Sequence, residues 1–318
     1  MTHTVGRRSI IGLGIGLAAA VLAWVAGLTP FMETVELKTY DLRVRALADP
    51  RQASPDIVIV SISDASVRKL EPLVGRWPWP RLVHAQLIDF LSRAPAKVVA
   101  YDILFTEHDR RSFSIGDTTW TGEESDKAFA ESVAKAGNVV LAADVTASDP
   151  LRSAESPANA AVLGRSRIAA DPAFERRPAL IPPYAALADA AAALGHNFVV
   201  LDPDGPVRRA VPAVRVPDGA VPSLALATAL RATGSAPGTV RVEGGTLVAG
   251  SVRAPLVDAD VPLADGGRER ARRMLVRFTG PGTVGDLKPT YPEYSFYDLF
   301  YSEQQLQAGE TPFVSPSA

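Results

Sequence analysis

Cysteine is absent from the 318 residues. That excludes disulfides, cysteine nucleophiles and thiolate metal sites, and it leaves the redox compartment open. Histidine is scarce: His3, His84, His108 and His196 stand far apart, and none has a zinc-ligand spacing such as His-Glu-x-x-His. An excess of basic residues is missing too. A net charge of −2 leaves no electrostatic footprint for nucleic acid. Neither a Gly-x-Ser-x-Gly nucleophile elbow nor a Ser–His–Asp order occurs, so the serine-hydrolase signature is lacking. No motif calls for a cofactor or a metal. The Gly12-x-Gly14-x-Gly16 run is no nucleotide loop, because no strand precedes it and it lies inside an apolar span.

Charge is also missing from Ile10–Leu28. Crossing a bilayer takes ~20 apolar residues, so this stretch is predicted to be a transmembrane helix. Arg7 and Arg8 favour a cytoplasmic N-terminus, which exports the rest of the chain. A twin-arginine export signal is the rival reading, with Val21-Leu22-Ala23 as its cleavage site. The apolar run continues through Trp24 to Leu28, beyond a usual signal-peptide core, which favours an uncleaved anchor. Gly12, Gly16 and Ala20 recur every four residues, a spacing that lets two membrane helices approach closely; glycine and alanine are also simply common in such segments. The organisation expected is a cytoplasmic start at 1–9, a membrane span at 10–28, a juxtamembrane helix at 30–48 and an exported domain at 49–318. That places the protein in the cell (inner) membrane, held by a single anchor and forming a homodimer.

What the exported part does contain is strong apolar runs. Ile57–Asp64, which ends on a carboxylate, and Lys97–Phe105 are rich in β-branched residues and read as buried strands. Between them Val83, Leu87, Phe90, Leu91 and Ala94 share one helix face, Pro80 suits the first turn and Pro95 stops the helix. This is a βαβ pattern. Asp126–Ala136 reads as a helix ended by Gly137, and Asn138–Val145 as a third strand. The fold class predicted is α/β, a mostly parallel sheet with helices on both faces. Antiparallel hairpin additions follow, the clearest being two strands joined by Asp202-Pro203-Asp204-Gly205-Pro206. Gly195–Leu201 and Val207–Val216 are those strands. Arg208 and Arg209 follow the turn and point to opposite faces, so only one can aim at Asp202 or Asp204. Residues 146–183 read as a long surface excursion, Gly266–Arg273 as a charged loop, and Tyr294–Tyr301 as the start of a last helix.

The hexapeptide Arg76-Trp77-Pro78-Trp79-Pro80-Arg81 lies between the first two strands. Each proline fixes its own φ and restricts the tryptophan before it, so the rings have little freedom to lose. Two readings stand open. The tryptophans cover the end of a sheet, with the arginines stacked on them or paired with carboxylates. Alternatively they form the aromatic rim of a ligand crevice, with Asp64, Arg76, Trp77, Trp79, Arg81 and Asp102 as its binding residues. Glu107, His108 and Asp109 cluster past the second strand; a metal could use them, and a solvated loop explains them more cheaply.

Here the residues resemble a family. Ser61–Ser66, the hexapeptide, Ala100–Phe105, Ser125–Ala130, Gly195-His196-Asn197 and Asp202–Arg209 are similar to the CHASE type 2 domain, the cyclase/histidine-kinase-associated sensory extracellular domain. The resemblance covers nearly everything after the membrane segment. It implies a non-enzymatic sensor for a small-molecule or envelope ligand. In such receptors the output is a nucleotide cyclase, a diguanylate cyclase, or a histidine or serine/threonine kinase. Pro78, Pro80, Asp204, Gly205 and Arg208 fall in the family's motifs as structural residues. The family places an acidic residue directly after the first strand, where this chain has Ser63 followed by Asp64. In the family a further buried strand and a return to the membrane come after the last helix. Nothing after Tyr301 resembles these, so the domain reads as truncated, with one sheet position expected to go unpaired. Two other readings stay in view: a periplasmic hydrolase using Asp64, Asp102 and Glu107 at strand ends, and a structural envelope module that binds a protein partner.

Overall fold

Val139-Val140-Leu141-Ala142-Ala143 has no side chain to place on a wet face, and all five residues are buried. A computed structural model describes residues 2–27, 29–115, 118–146, 164–217, 219–262, 266–282 and 288–317. The apolar run forms strand β5 (Val139–Thr146). It is flanked in parallel by β2 (Val99–Tyr101) and β8 (Ala193–His196). Successive side chains point to opposite faces of a strand. Val139 and Leu141 accordingly join one large core, and Val140 joins a separate one.

On the first face lie α4 (Arg81–Arg93), α5 (Gly122–Ala136), α6 (Ala185–Ala190) and α8 (Phe296–Gln307). They bury Val83, Leu87, Phe90, Phe129, Leu187 and Phe300 against Leu141 and Leu194. Arg93 fastens α4 to α8, its guanidinium holding both oxygens of the buried Glu303 carboxylate at 2.9 Å. The second face carries α7 (Leu224–Thr233), which sets Ala227 and Leu224 over Val140 and Ala193. The two come very close at Gly195. A Cβ there would lie 2.5 Å from Leu224 Cα, so only glycine admits this helix. Helices on both faces of a parallel core are as expected.

"Mostly parallel" does not hold. Among the described residues four strand pairs are parallel and seven antiparallel, the latter including β3 (Phe113–Ile115) with β4 (Thr118–Trp120), β7 (Ala179–Ile181) with β5, and β10 (Ala213–Val216) with β11 (Gly219–Pro222). Much of the difference is an antiparallel run of β12 (Arg241–Glu243), β13 (Thr246–Ala249), β14 (Val252–Pro262), β15 (Arg268–Leu275) and β9 (Arg209–Ala210). The expected charged loop is the strand β15. Its arginines meet acids on β14: Asp258 faces Arg272 and Asp260 faces Arg270 in register, with Arg272 Nε 3.0 Å from Asp258 Oδ1. Cross-strand charge pairs sustain a strand that shows no hydrophobic run.

Three further corrections concern connections. The expected hairpin around Asp202–Pro206 is absent. The turn itself forms, with Gly205 N–H donating to Asp202 O at 2.8 Å and φ +100° at Gly205. Its flanks, however, join different sheets: β8 pairs with β5, and β9 with β15. Next, β1 (Ile59–Ser61) pairs in parallel with β16 (Glu293–Ser295) and not with β2, so the βαβ unit does not close into one sheet. With one strand neighbour among the described residues, β1 is not the buried strand expected; Ile57, Val58 and Ile59 are exposed. Finally, α3 (Asp64–Val74) intervenes between β1 and the hexapeptide. Ser63 caps it, its hydroxyl accepting from Ser66 N–H at 3.3 Å, and Ser66, Leu70 and Val74 form its buried stripe.

A separate compact unit comprises Met1–Ser54, Leu201–Pro206 and Arg277–Thr290. It holds α1 (Thr2–Gly27) and α2 (Pro30–Leu47), the latter capped by Thr29 and lying where a helix was expected at 30–48. Lys38 of α2 pairs with Asp204 at 3.2 Å, and Thr290 N–H closes a loop onto Pro281 O at 3.0 Å. Ile11, Leu13, Leu17, Leu22 and Trp24 of α1 are exposed. Among the described residues no helix is long and apolar enough to cross a membrane, so the span expected at 10–28 rests on the sequence. The side chains of Arg7 and Arg8, residue Leu28, and residues 147–163 of the expected surface excursion lie outside the described residues.

Candidate functional site

The hexapeptide runs from α3 to α4. Pro80 directly precedes α4, one position earlier than expected, and offers it no side-chain cap. The missing acceptor comes from a neighbour: Leu82 N–H, free at the helix start, donates to Ser125 Oγ of α5 at 2.8 Å. The Trp77–Pro78 peptide bond is cis.

The two tryptophans have different fates. Trp79 is 0% exposed, its ring 5.0 Å from Phe296 of α8. Trp77 remains 41% exposed and stands edge-on to Trp79, ring centres 4.9 Å apart. Behind them His84 is buried among Trp79, Phe105, Phe129 and Phe296, sharing a 2.7 Å hydrogen bond with Tyr101 Oη. Burial, aided by the charge of Arg81, pushes His84 down to about 3, so its ring is neutral. Burial likewise raises Tyr101 far above its ordinary range and keeps it protonated.

Arg81 turns inward from the same segment. Its guanidinium lies over the Phe105 ring at 4.8 Å, donates to Glu107 O at 3.3 Å and approaches Asp126 Oδ1 at 3.9 Å. Asp126 is the hub of a polar cluster. Its Oδ2 accepts from Asp109 N–H at 3.1 Å and bonds His108 Nδ1 at 2.8 Å. Its backbone carbonyl accepts from Tyr184 Oη at 2.8 Å. Arg111 clamps the outer side, its Nε donating to Asp109 Oδ1 and its Nη2 to Pro78 O. The loop after β2 therefore binds both the hexapeptide and α5. Gly122 permits that approach: a Cβ there would lie 1.9 Å from Asp109 O. Arg81 Nε and Asp126 Oδ1, which face each other at 3.9 Å, and Asp109 Oδ2 and Trp79 Nε1 are buried without a hydrogen-bond partner. Buried polar atoms left in this state are where bound water or a ligand group is to be sought.

The expected site residues separate into two groups. Trp77, Trp79 and Arg81 belong to one aromatic and ionic cluster, together with Pro78 through its carbonyl. Arg76 is exposed and pairs with Glu71 at 3.1 Å. Asp64 opens α3, where a carboxylate favours the helix dipole. Asp102 lies beyond the end of β2 and accepts from Asn197 Nδ2 at 3.1 Å. The Glu107–Asp109 segment is not a simple solvated loop, since Asp109 is buried and tied to Asp126. Sequence reasoning missed Asp126 as the acid facing Arg81, and Tyr184 and Arg111 as members of the same cluster. The signal was a lone Arg on the apolar start of α4, which needs an acid if it turns inward.

This arrangement lacks an aligned nucleophile and base. It offers instead a half-exposed indole edge, fixed to the core beneath it and next to the exposed Arg111, which holds Pro78 O. A family model for the CHASE2 domain matches residues 16–316. The chain belongs to the CHASE2 family. CHASE2 domains are extracellular sensory domains of receptors. No curated protein and no solved structure matches the chain.

Proposed function

We propose that residues 49–318 are the ligand-recognising region of a membrane-anchored signalling receptor, and that the Trp77 edge is where the ligand is read. The observation that carries this reading is the asymmetry of the tryptophan pair. Trp77 presents a ring to solvent while leaning on a fully buried Trp79, which in turn touches α8. A ligand stacked on Trp77 is thereby in line with the large core. Its output would be a nucleotide cyclase or a protein kinase elsewhere in the receptor, with no catalysis in this region. The uncharged Ile10–Leu28 supplies the anchor, and α2 continues from it. A ligand acts across a bilayer only by favouring one arrangement of such helices over another.

A thermal-shift screen of the full chain in detergent, against small polar and aromatic envelope metabolites, tests the ligand reading. A stabilising compound should lose its effect in Trp77→Ala while the unliganded melting point hardly moves. An effect preserved in that variant removes Trp77 from the site. Topology is tested by reporter fusions after Pro55: an export-dependent enzyme should be active there, and activity of a cytoplasm-only reporter overturns the receptor reading. Self-association is tested by crosslinking in membranes. Gly12 and Gly16 have nothing within 4 Å of where a Cβ would stand. Replacing both by isoleucine should weaken a dimer held by that face. Equal crosslinking would place any dimer contact in the exported domain.

A further inference from the structure

The Trp77 site lies past the C-terminal ends of the parallel strands. At the opposite end, where β8 begins, a groove of about 230 Å³ opens beside α7. Ala193, Ala227 and Leu230 line its apolar part, and Arg165 and Arg231 its rim. Neither aspartate nor glutamate lines it.

Both arginines are held without being neutralised. Arg165 Nη1 donates to the carbonyls of Asp189 and Ala191 at 2.7 and 3.1 Å, at the end of α6. Arg231 Nη2 donates to Gly137 O at 3.4 Å, at the end of α5. Each guanidinium has five N–H donors, so each keeps several to offer. Among the described residues neither has an ion-paired acid, whereas Arg177, Arg215, Arg272 and Arg273 all do. Two positioned cations facing one apolar groove with no counter-charge match the chemistry of a small organic anion. The volume falls below the range for drug-sized ligands, so the molecule is small.

We infer that this groove binds a small organic carboxylate, with its apolar body on Ala227 and Leu230 and its carboxylate between Arg165 and Arg231. Such a ligand would join the ends of α5 and α6 through the two guanidinium groups that already hold them.

Benzoate is the probe, with benzamide as its neutral counterpart, titrated calorimetrically into the full chain in detergent. Benzoate should bind at least ~10-fold tighter than benzamide, because only the anion gains charge-assisted bonds. Arg231→Gln and Arg165→Gln should each weaken benzoate by ~10-fold, and the double variant should abolish binding. Equal binding of the two probes, or unchanged binding by the double variant, overturns the inference. Should the arginine variants fail to fold, Ala236→Trp decides: Ala236 is exposed on the groove wall, and an indole there should block benzoate. Undiminished binding by that variant also overturns it. Trp77→Ala should leave benzoate binding unchanged, which separates this groove from the Trp77 site.

Discussion

The two faces of sheet architecture in this chain solve burial differently. The parallel layer of β2, β5 and β8 is mostly apolar beneath its helices: His84, Tyr101 and His196 are buried there as neutral groups, and the buried charges, Glu303 with Arg93 and Asp126 with Arg81, tie helix to helix. The region around β6 (Glu175–Arg176) and β10 (Ala213–Val216), paired in parallel, and the antiparallel β14 and β15 buries charge and balances it locally. Glu175 is held by Arg177 at 3.2 Å and Arg273 at 3.0 Å, and Glu269 pairs with Arg215. The first region is stabilised by area removed from water. In the second, charges that stay paired contribute little net stability, yet losing one partner is costly. Substitutions should therefore fail for opposite reasons in the two regions.

The largest effect is expected in the apolar region. Trp79→Ala removes a fully buried ring from contact with Phe296 and Trp77, and should cost about 4 kcal/mol in urea unfolding. Trp77→Ala, with its ring half in solvent, should cost clearly less. Equal losses would mean that the two rings are one structural unit and would remove the asymmetry on which the ligand reading rests.

The paired region is probed by Glu175→Gln. The amide keeps the shape but leaves two guanidinium groups facing a neutral partner, and about 3 kcal/mol should be lost. Glu243→Gln is the control, because that carboxylate is fully exposed beside Arg241, and its unfolding midpoint should not move. If both variants behave alike, burial of the Glu175 carboxylate adds nothing to the cost of unpairing it.

That contrast also explains what was legible from the sequence. β2, β5, α2, α4 and α5 announce themselves through apolar runs or a helical stripe, and the hexapeptide through its prolines. β15 does not, because its partners are acids on β14, more than ten residues away, and pairing of that kind has no local period. The Asp202–Pro206 turn was readable as a turn, but which sheets its flanks join depends on β5 and β15. α3 was missed although Ser63 and the Ser66, Leu70, Val74 stripe were there; Pro72 near its end weakens the pattern. At the site, Trp77, Trp79 and Arg81 could be found from the motif. Asp126 and Tyr184 could not, since neither is near Arg81 in the chain and Tyr184 stands 58 residues beyond Asp126.

The smallest effect concerns His196, and it tests the apolar region's tolerance of a trapped polar group. Both of its ring nitrogens are buried without a protein partner. Burial pushes it down to about 3, as it does His84. The unfolded chain binds protons at both histidines near their ordinary value of 6.5, and the native state does not. Between those limits the unfolded state holds more protons, so stability rises with pH and is lost as pH falls below about 6.5. Two such groups contribute about 2.7 kcal/mol per pH unit near pH 5. His196→Leu should remove about half of that slope, leaving His84 to supply the rest. At pH 7.5 the same variant should be stabilised by about 1–2 kcal/mol, because two unsatisfied nitrogens leave the core while its volume is nearly kept. Urea unfolding of wild type and variant at pH 4.5, 5.5 and 7.5 measures both quantities. An unchanged slope would mean that His196 is protonated in the native state, and a loss of stability at pH 7.5 would mean that it makes a bond through bound water that leucine cannot replace.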